Sequence, residues 1–161
     1  MAETKASAKR PSRARKGINV WTDEERAAML ASARERKAAA GRTPQEARAE
    51  GERDLQESIA KMPPDDRAMA KRVHDIVTGA VPALVPKTYY GMPAWAREGK
   101  DGKVIAFFKP KSKFKVRYST FEFPTEASLD DGDMWPVSFA VDKLTAAVEK
   151  QIRELVKRAA H

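Results

Sequence analysis

The sequence contains no cysteine and no long apolar run. Without cysteine, the chain cannot form disulfides, thiolate zinc sites or iron–sulfur clusters, and it has no cysteine nucleophile. It also has no run of about 18 apolar residues, the length that a transmembrane helix requires, so we expect no membrane association. Its first residues lack the apolar stretch of a secretory signal. These absences predict a cytoplasmic protein.

Common catalytic motifs are also missing. The chain has no Gly-x-Ser-x-Gly elbow, no phosphate-binding glycine loop, no dinucleotide fingerprint and no His-Glu-x-x-His helix. Its two histidines, His74 and His161, are far apart in sequence, so general-base chemistry would depend on carboxylates or lysines. We therefore predict that the protein is not an enzyme.

The net charge of +8 is distributed unevenly along the chain. Residues 1–17 contain six basic residues and one acidic residue, which gives +5, and the remaining residues carry only +3. Because this segment has almost no apolar content, we predict a disordered basic tail. Such a tail either keeps the protein soluble or contacts nucleic-acid phosphates without reading their sequence.

Two helix starts follow the tail. Thr22 and Glu25 form the sequence pattern of a capping box before an alanine-rich segment, and Thr43 followed by Pro44 marks the start of another helix. The first helix offers mostly alanine for burial, so we expect it to dock weakly or to swing free. Together these segments predict a helical extension over residues 18–51.

Residues 52–161 are predicted to form the folded domain, with an amphipathic helix near each end. Pro63 and Pro64 end one helix and begin another. Apolar residues then recur at spacings of three and four, which is typical of a helix with one buried face. In the earlier helix these residues are Met69, Val73, Ile76, Val77 and Ala80. In the last helix they are Leu144, Val148, Ile152, Leu155, Val156 and Ala159.

Between these helices the apolar period shortens to two, which predicts strands across residues 85–141. Asp101 and Gly102 form a hairpin-turn signal, and further strands are predicted at residues 114–118 and 137–141. Helices, then strands, then a helix indicate an α+β fold. We predict a two-layer sandwich with a mainly antiparallel sheet packed by helices.

The predicted strand at residues 114–118 alternates apolar and basic side chains. The apolar set, expected to point inward, is Phe114, Val116 and Tyr118. The basic set, expected on the opposite face, is Lys113, Lys115 and Arg117. A basic face with nearby aromatic rings is typical of a single-stranded nucleic-acid or anion binder. Lysines at a sheet edge also protect against edge pairing, so both interpretations stay open.

Eleven of the twelve aromatic residues lie between Tyr89 and Phe139, and the segment 89–95 reads YYGMPAW. Gly91 permits a backbone conformation that side chains disfavour, and the proline at position 93 keeps the preceding residue extended. The segment is therefore predicted to bend sharply. Such a bend either forms a corner of the core or lines a ligand pocket. The candidate ligand-binding residues are Tyr90, Met92, Trp95 and Trp135, with the basic side chains named above.

The segment 89–95, together with KSKFK at residues 111–115 and LDDGDMWP at residues 129–136, resembles the YdhG-like proteins. These are small bacterial domains of unassigned activity, and some are described as frataxin-like intracellular iron chaperones. The resemblance covers about residues 52–158. It implies an α+β fold and a non-catalytic binding or carrier role, with an unknown cargo or protein partner. It implies no catalytic residues.

An iron site would have to use carboxylates. Asp130, Asp131 and Asp133 form the densest acidic patch of the strand region, and oxygen ligands would suit a carrier that releases weakly bound iron. The spacing of these residues does not match a calcium-binding loop. Acidic runs of this kind are also common in solvated turns, so the metal site stays a hypothesis.

Overall fold

The computed structural model describes residues 21–39, 41–99 and 101–161. The predicted basic tail, residues 1–17, lies outside the described residues. Within these ranges the chain forms five helices and one five-stranded antiparallel sheet, which confirms the predicted α+β fold. The helices are α1 (Asp23–Ala39), α2 (Pro44–Ala60), α3 (Pro64–Ala80), α4 (Lys111–Phe114) and α5 (Ala146–Ala159). The strands are β1 (Val85–Tyr89), β2 (Met92–Ala96), β3 (Val104–Lys109), β4 (Ser119–Glu122) and β5 (Ser138–Val141).

The sheet is a meander in which each strand pairs with the next one along the chain. The turn predicted between β2 and β3 is present, and within it the N–H of Gly102 donates to the carbonyl of Gly99 at 3.1 Å. Helix α4 lies in the connection from β3 to β4. The strand predicted near residues 137–141 is confirmed as β5.

The helix starts follow the sequence signals. Thr43 and Glu46 form a reciprocal capping box at the start of α2, with the side chains bonded to backbone N–H groups at 3.2 and 3.0 Å. Thr22 and Glu25 do the same before α1. At α5, Thr145 accepts a hydrogen bond from the N–H of Val148 at 3.3 Å. Each cap satisfies backbone donors that the first turn leaves without partners.

The main core lies between the sheet and helices α2, α3 and α5. Its aromatic rings form a chain in which Trp95 contacts Phe121, and Phe121 contacts Phe123, at centroid distances of 6.1 and 5.1 Å. Val77 of α3 and Val156 of α5 are fully buried against this layer. The aromatic cluster predicted from the sequence is therefore largely the core of the domain.

The prediction of a strand at residues 114–118 is wrong. Residues 111–114 form α4, and Lys115 adopts the left-handed conformation with φ of 53°. The carboxylate of Asp66 accepts a hydrogen bond from the N–H of Ser112 at 3.1 Å, which fixes this turn to the start of α3. The alternating pattern therefore runs through a helical turn and its exit. Val116, which was expected to point inward, is 49% exposed.

The first helix does not swing free. Ala28 and Ser32 of α1 are buried, and the helix lies against β1 and α4. The predicted boundary between extension and domain, at residues 51 and 52, falls inside the continuous helix α2. Gly51 is itself buried, and its Cα faces the carbonyl of Pro86 on β1. Helix α2 is thus part of the folded domain along its length.

No helix in the described part of the chain combines the length and the apolar character needed to cross a membrane.

Candidate functional site

A two-residue turn joins β1 to β2 at one end of the sheet. Both turn residues have positive φ, 51° at Tyr90 and 76° at Gly91, as a type I′ hairpin turn requires. Asparagine and glycine are the usual residues in such a turn, whereas a tyrosine is strained there. The bend predicted at Gly91 is therefore a tight hairpin tip whose N–H groups point away from the strand ladder.

The carboxylate of Glu35 binds this hairpin tip. One oxygen accepts a hydrogen bond from the N–H of Tyr90 at 3.1 Å, and the other accepts one from the N–H of Gly91 at 2.9 Å. Hydrogen bonds from backbone N–H groups to a carboxylate are stronger than bonds between neutral groups. Glu35 is therefore the main polar connection between α1 and the sheet.

Lys113 of α4 completes the polar group at the tip. Its ammonium donates to the carbonyl of Tyr90 at 3.1 Å, and a side chain at Gly91 would approach that nitrogen to 2.8 Å. Burial lowers the pKa of Lys113, and the negative charge of Glu35 opposes this shift. A cation, two N–H donors and a carboxylate thus share one small region.

A second contact connects α1 to the segment that follows α4. The ammonium of Lys115 lies 2.7 Å from a carboxylate oxygen of Glu24. This hydrogen bond raises the pKa of Lys115 and lowers the pKa of Glu24. Because the Lys115 side chain is 78% exposed, solvent screens the pair and it holds α1 only weakly.

A cleft of about 650 Å³ opens beside the hairpin tip, between α1 and α2. Its floor contains Thr88 and Gly91 of the hairpin together with Ser112 and Lys113. Apolar wall residues are Ala31, Ala38, Met62, Pro63 and Pro110. Charged residues around it are Arg34, Glu35, Asp54, Glu57, Lys61 and Asp66. Its dimensions and mixed lining are typical of a site for a small organic molecule.

Two polar groups of this cleft are buried. Asp66 is 2% exposed and lies in the first turn of α3, where the helix dipole favours its negative charge. The hydroxyl oxygen of Ser58 is buried and has no hydrogen-bond partner among the described residues. A buried hydroxyl without a partner is costly to the fold.

The cleft presents several kinds of polar side chain. Its described lining includes serines, lysines and carboxylates but no histidine, and no serine there is hydrogen-bonded to a general base. Its polar groups are suited to orienting a bound molecule.

The residues proposed from the segment 89–95 occupy different environments. Tyr90 lies at the hairpin tip beside the cleft. Met92 is 5% exposed and Trp95 is 1% exposed. The indole N–H of Trp95 donates to Nδ1 of His74 at 3.2 Å, and Nε2 of His74 lies 3.0 Å from a carboxylate oxygen of Glu52. Trp95 and its indole N–H are therefore buried in the core, where no nucleobase could stack on the ring.

The proposed basic face is not formed. Lys113 points into the cleft, Lys115 pairs with Glu24, and the guanidinium of Arg117 lies 5.0 Å from the ring centre of Tyr118. These three side chains belong to a helical turn and its exit, so they do not share one face of a strand. Trp135 is partly buried and packs against the main core.

The acidic patch does not form a ligand set. Asp130, Asp131 and Asp133 are exposed in the loop between β4 and β5. Across residues 21–39, 41–99 and 101–161, no three His, Cys, Asp or Glu side chains are arranged to hold a metal ion. Asp66 lies elsewhere and is hydrogen-bonded to α4.

The sequence analysis did not select Glu35, Asp66 or Ser58 as site residues. Glu35 meets backbone groups 55 and 56 positions further along the chain, and Asp66 meets one 46 positions further along. One signal was available: a tyrosine before glycine between two strand-like segments is compatible with a tight hairpin, whose outward N–H groups need an acceptor.

Comparison with models of known protein families, with curated proteins and with solved structures finds no match. The resemblance to YdhG-like proteins therefore stays a prediction from sequence.

Proposed function

We propose that this protein is a non-catalytic binding protein whose ligand site is the cleft between α1 and α2. The observation that carries this proposal is the cleft itself, with apolar walls and a polar floor at Lys113 and Ser112. Its volume of about 650 Å³ suits a small organic molecule. We expect a ligand with an apolar body and at least one hydrogen-bonding group.

Nuclear magnetic resonance tests this proposal with benzoate and its neutral counterpart benzamide. Both probes have an apolar ring and a polar group that the cleft can accommodate. We expect saturable shifts of the backbone amide signals of Thr88, Gly91 and Ser112, with the largest shifts near the cleft floor. Absence of shifts at these amides with both probes would contradict the proposed site.

A matched pair of variants controls for binding elsewhere. Ala38→Phe places a ring in the cleft wall, whereas Ala33→Phe adds the same ring to an exposed position of α1 outside the cleft lining. Ala38→Phe should abolish the shifts and Ala33→Phe should retain them. Equal binding by both variants would place the probes at another surface. Native mass spectrometry of the purified protein would then identify any co-purified ligand.

An iron-carrier role stays a prediction that rests on sequence resemblance. Anaerobic titration of ferrous iron into the wild type and into a variant with alanine at Asp130, Asp131 and Asp133 tests it. Equal affinities would remove these residues as ligands. Weaker binding by the variant would support an exposed oxygen-ligand site.

Contact of residues 1–17 with nucleic acid also stays a prediction. Binding of a nonspecific oligonucleotide should weaken steeply as salt rises, because it depends on counterion release. Deleting residues 1–17 should abolish binding at low salt. Unchanged binding by the deletion variant would assign oligonucleotide binding to the folded domain instead of residues 1–17.

A further inference from the structure

We propose that the hairpin tip is an oxyanion-binding site, and that Glu35 occupies it as an internal substitute for an external ligand. The site consists of the N–H groups of Tyr90 and Gly91 with the ammonium of Lys113 beside them. The external ligand would be a carboxylate or phosphate group of a small molecule. This inference rests on the proposed function, because the rest of that molecule would lie in the adjoining cleft.

The geometry of the Glu35 contact resembles that of a bound anion. Each carboxylate oxygen accepts one backbone N–H, at 3.1 Å from Tyr90 and at 2.9 Å from Gly91. Successive N–H groups in a turn form a concave donor pair that binds anions. Because these donors are main-chain groups, the site does not depend on the side chain at position 90.

Lys113 adds a positive charge next to the two donors. Its ammonium is held against the carbonyl of Tyr90, within the same turn, so its position is fixed relative to the N–H groups. Gly91 leaves room for this close approach, since a side chain there would come within 2.8 Å of the lysine nitrogen. Two N–H donors and an adjacent cation are a suitable set for either a carboxylate or a phosphate.

Apart from the Glu35 hydrogen bonds, α1 is held by small buried side chains and by an exposed ion pair. Its buried residues, Ala28 and Ser32, are small, while Leu30 and Met29 of the same helix are 62% and 39% exposed. The remaining ion pair between Glu24 and Lys115 is exposed to solvent. Because Glu35 belongs to the same chain as the hairpin tip, it competes with a free anion at a high effective concentration.

The test vacates the site and offers oxyanions to it. In Glu35→Ala, sodium acetate is titrated against sodium chloride at equal ionic strength while the amide signals of Tyr90 and Gly91 are followed. We expect saturable shifts of both signals and a rise in the thermal midpoint. Inorganic phosphate forms a second arm, and the tighter of the two anions indicates which chemistry the site prefers.

Three further variants define the expected result. Glu24→Ala removes a carboxylate from the same helix but leaves Glu35 in place, so its Tyr90 and Gly91 signals should need as much acetate as those of the wild type. Lys113→Met combined with Glu35→Ala should weaken acetate binding about tenfold. In the wild type, about tenfold more acetate should be needed than in Glu35→Ala. Glu35→Leu, which retains most of the side-chain volume but has no acceptor oxygen, replaces Glu35→Ala if the latter does not fold.

Two outcomes would overturn the inference. If neither anion moves the Tyr90 and Gly91 signals in a folded Glu35 variant, the tip is not an oxyanion site. If the wild type and Glu35→Ala respond to the same acetate concentrations, Glu35 is not a competitor. Acetate is too small to need the cleft, so these results are independent of the benzoate shifts at Thr88 and Ser112.

Discussion

At the scale of single residues, His74 shows how a buried polar group can be structural. Its ring stacks near Trp95, with centroids 6.1 Å apart, and its Nδ1 accepts the indole N–H. Because Nδ1 is an acceptor here, the neutral ring must carry its proton on Nε2, which donates to Glu52. The sequence placed His74 in the amphipathic helix that carries Val73 and Val77, but it could not show that the partner was a tryptophan from β2.

Replacing His74 with alanine should therefore destabilise the fold. The change leaves the indole N–H of Trp95 buried without a partner and opens a cavity next to it. We expect the free energy of unfolding to fall by about 2–4 kcal/mol, measured by urea denaturation. Asp75→Ala, at an exposed neighbouring position, should change it by less than about 0.5 kcal/mol. A similarly small change for His74→Ala would show that the hydrogen bonds of His74 with Trp95 and Glu52 contribute little to stability.

Lys113 should make stability depend on pH in the alkaline range. Burial lowers its pKa from the ordinary value of 10.5, so the unfolded chain binds more protons than the folded one in the window between the two values. Stability contributed at this position therefore rises as pH increases through that window. Denaturation of the wild type and of Lys113→Met at several pH values measures the effect.

The difference in free energy of unfolding between the wild type and Lys113→Met isolates the effect of Lys113, because the contributions of other titrating groups cancel. Relative to the wild type, the free energy of unfolding of Lys113→Met should be most favourable at pH values below the lowered pKa of Lys113. This relative gain should disappear as pH approaches about 10.5. A difference that does not vary with pH would mean that burial does not oppose the charge. A lysine that weakens the fold in this way is a reason to look for a binding role.

At the scale of elements, the sequence predicted best where the determinants are local. The caps at Thr22 and Thr43 depend on side chains three residues from their partners, and both are present. The strand predicted at residues 114–118 is absent because the conformation of this segment depends on Asp66 of α3. The carboxylate of Asp66 accepts a hydrogen bond from the N–H of Ser112. Alternation in the sequence carries no information about that contact. β4 consequently begins at Ser119.

The packing of α2 on β1 gives a matched test with two glycines. A Cβ at Gly51 would lie 2.0 Å from the carbonyl oxygen of Pro86, whereas a Cβ at Gly79 would meet nothing within 4 Å. Both residues are in helices, where alanine is favoured over glycine by about 1 kcal/mol. Gly79→Ala should therefore stabilise the protein by up to about 1 kcal/mol, and Gly51→Ala should destabilise it by about 2 kcal/mol or more.

Urea denaturation of both glycine variants measures these changes on one scale. Opposite signs are the expected result, because only the environment differs between the two positions. If Gly51→Ala were as stable as the wild type, α2 could move away from β1 without cost. That outcome would remove the close helix–strand contact from the description of the fold.

At the scale of the whole molecule, the core and the cleft depend on different parts of the chain. The main core begins with Leu55 of α2, and the described residues of α1 contribute none of its buried side chains. The cleft, by contrast, has α1 as one wall. The predicted domain start at residue 52 was close to the first core residue, but it overlooked Gly51 and the rest of α2. Composition located the core and gave no sign of the surface that α1 covers.

Removing residues 1–41 should therefore leave a folded domain with an open hairpin tip. The deletion retains Thr43, which caps α2, and removes Glu35 and its two hydrogen bonds. We expect cooperative unfolding, a free energy of unfolding lower by about 1–3 kcal/mol, and a helix content reduced only by the share of α1. The Tyr90 and Gly91 amides should bind acetate as they do in Glu35→Ala. Loss of cooperative unfolding would show instead that α1 is required for the fold, and that it cannot leave the site to admit a ligand.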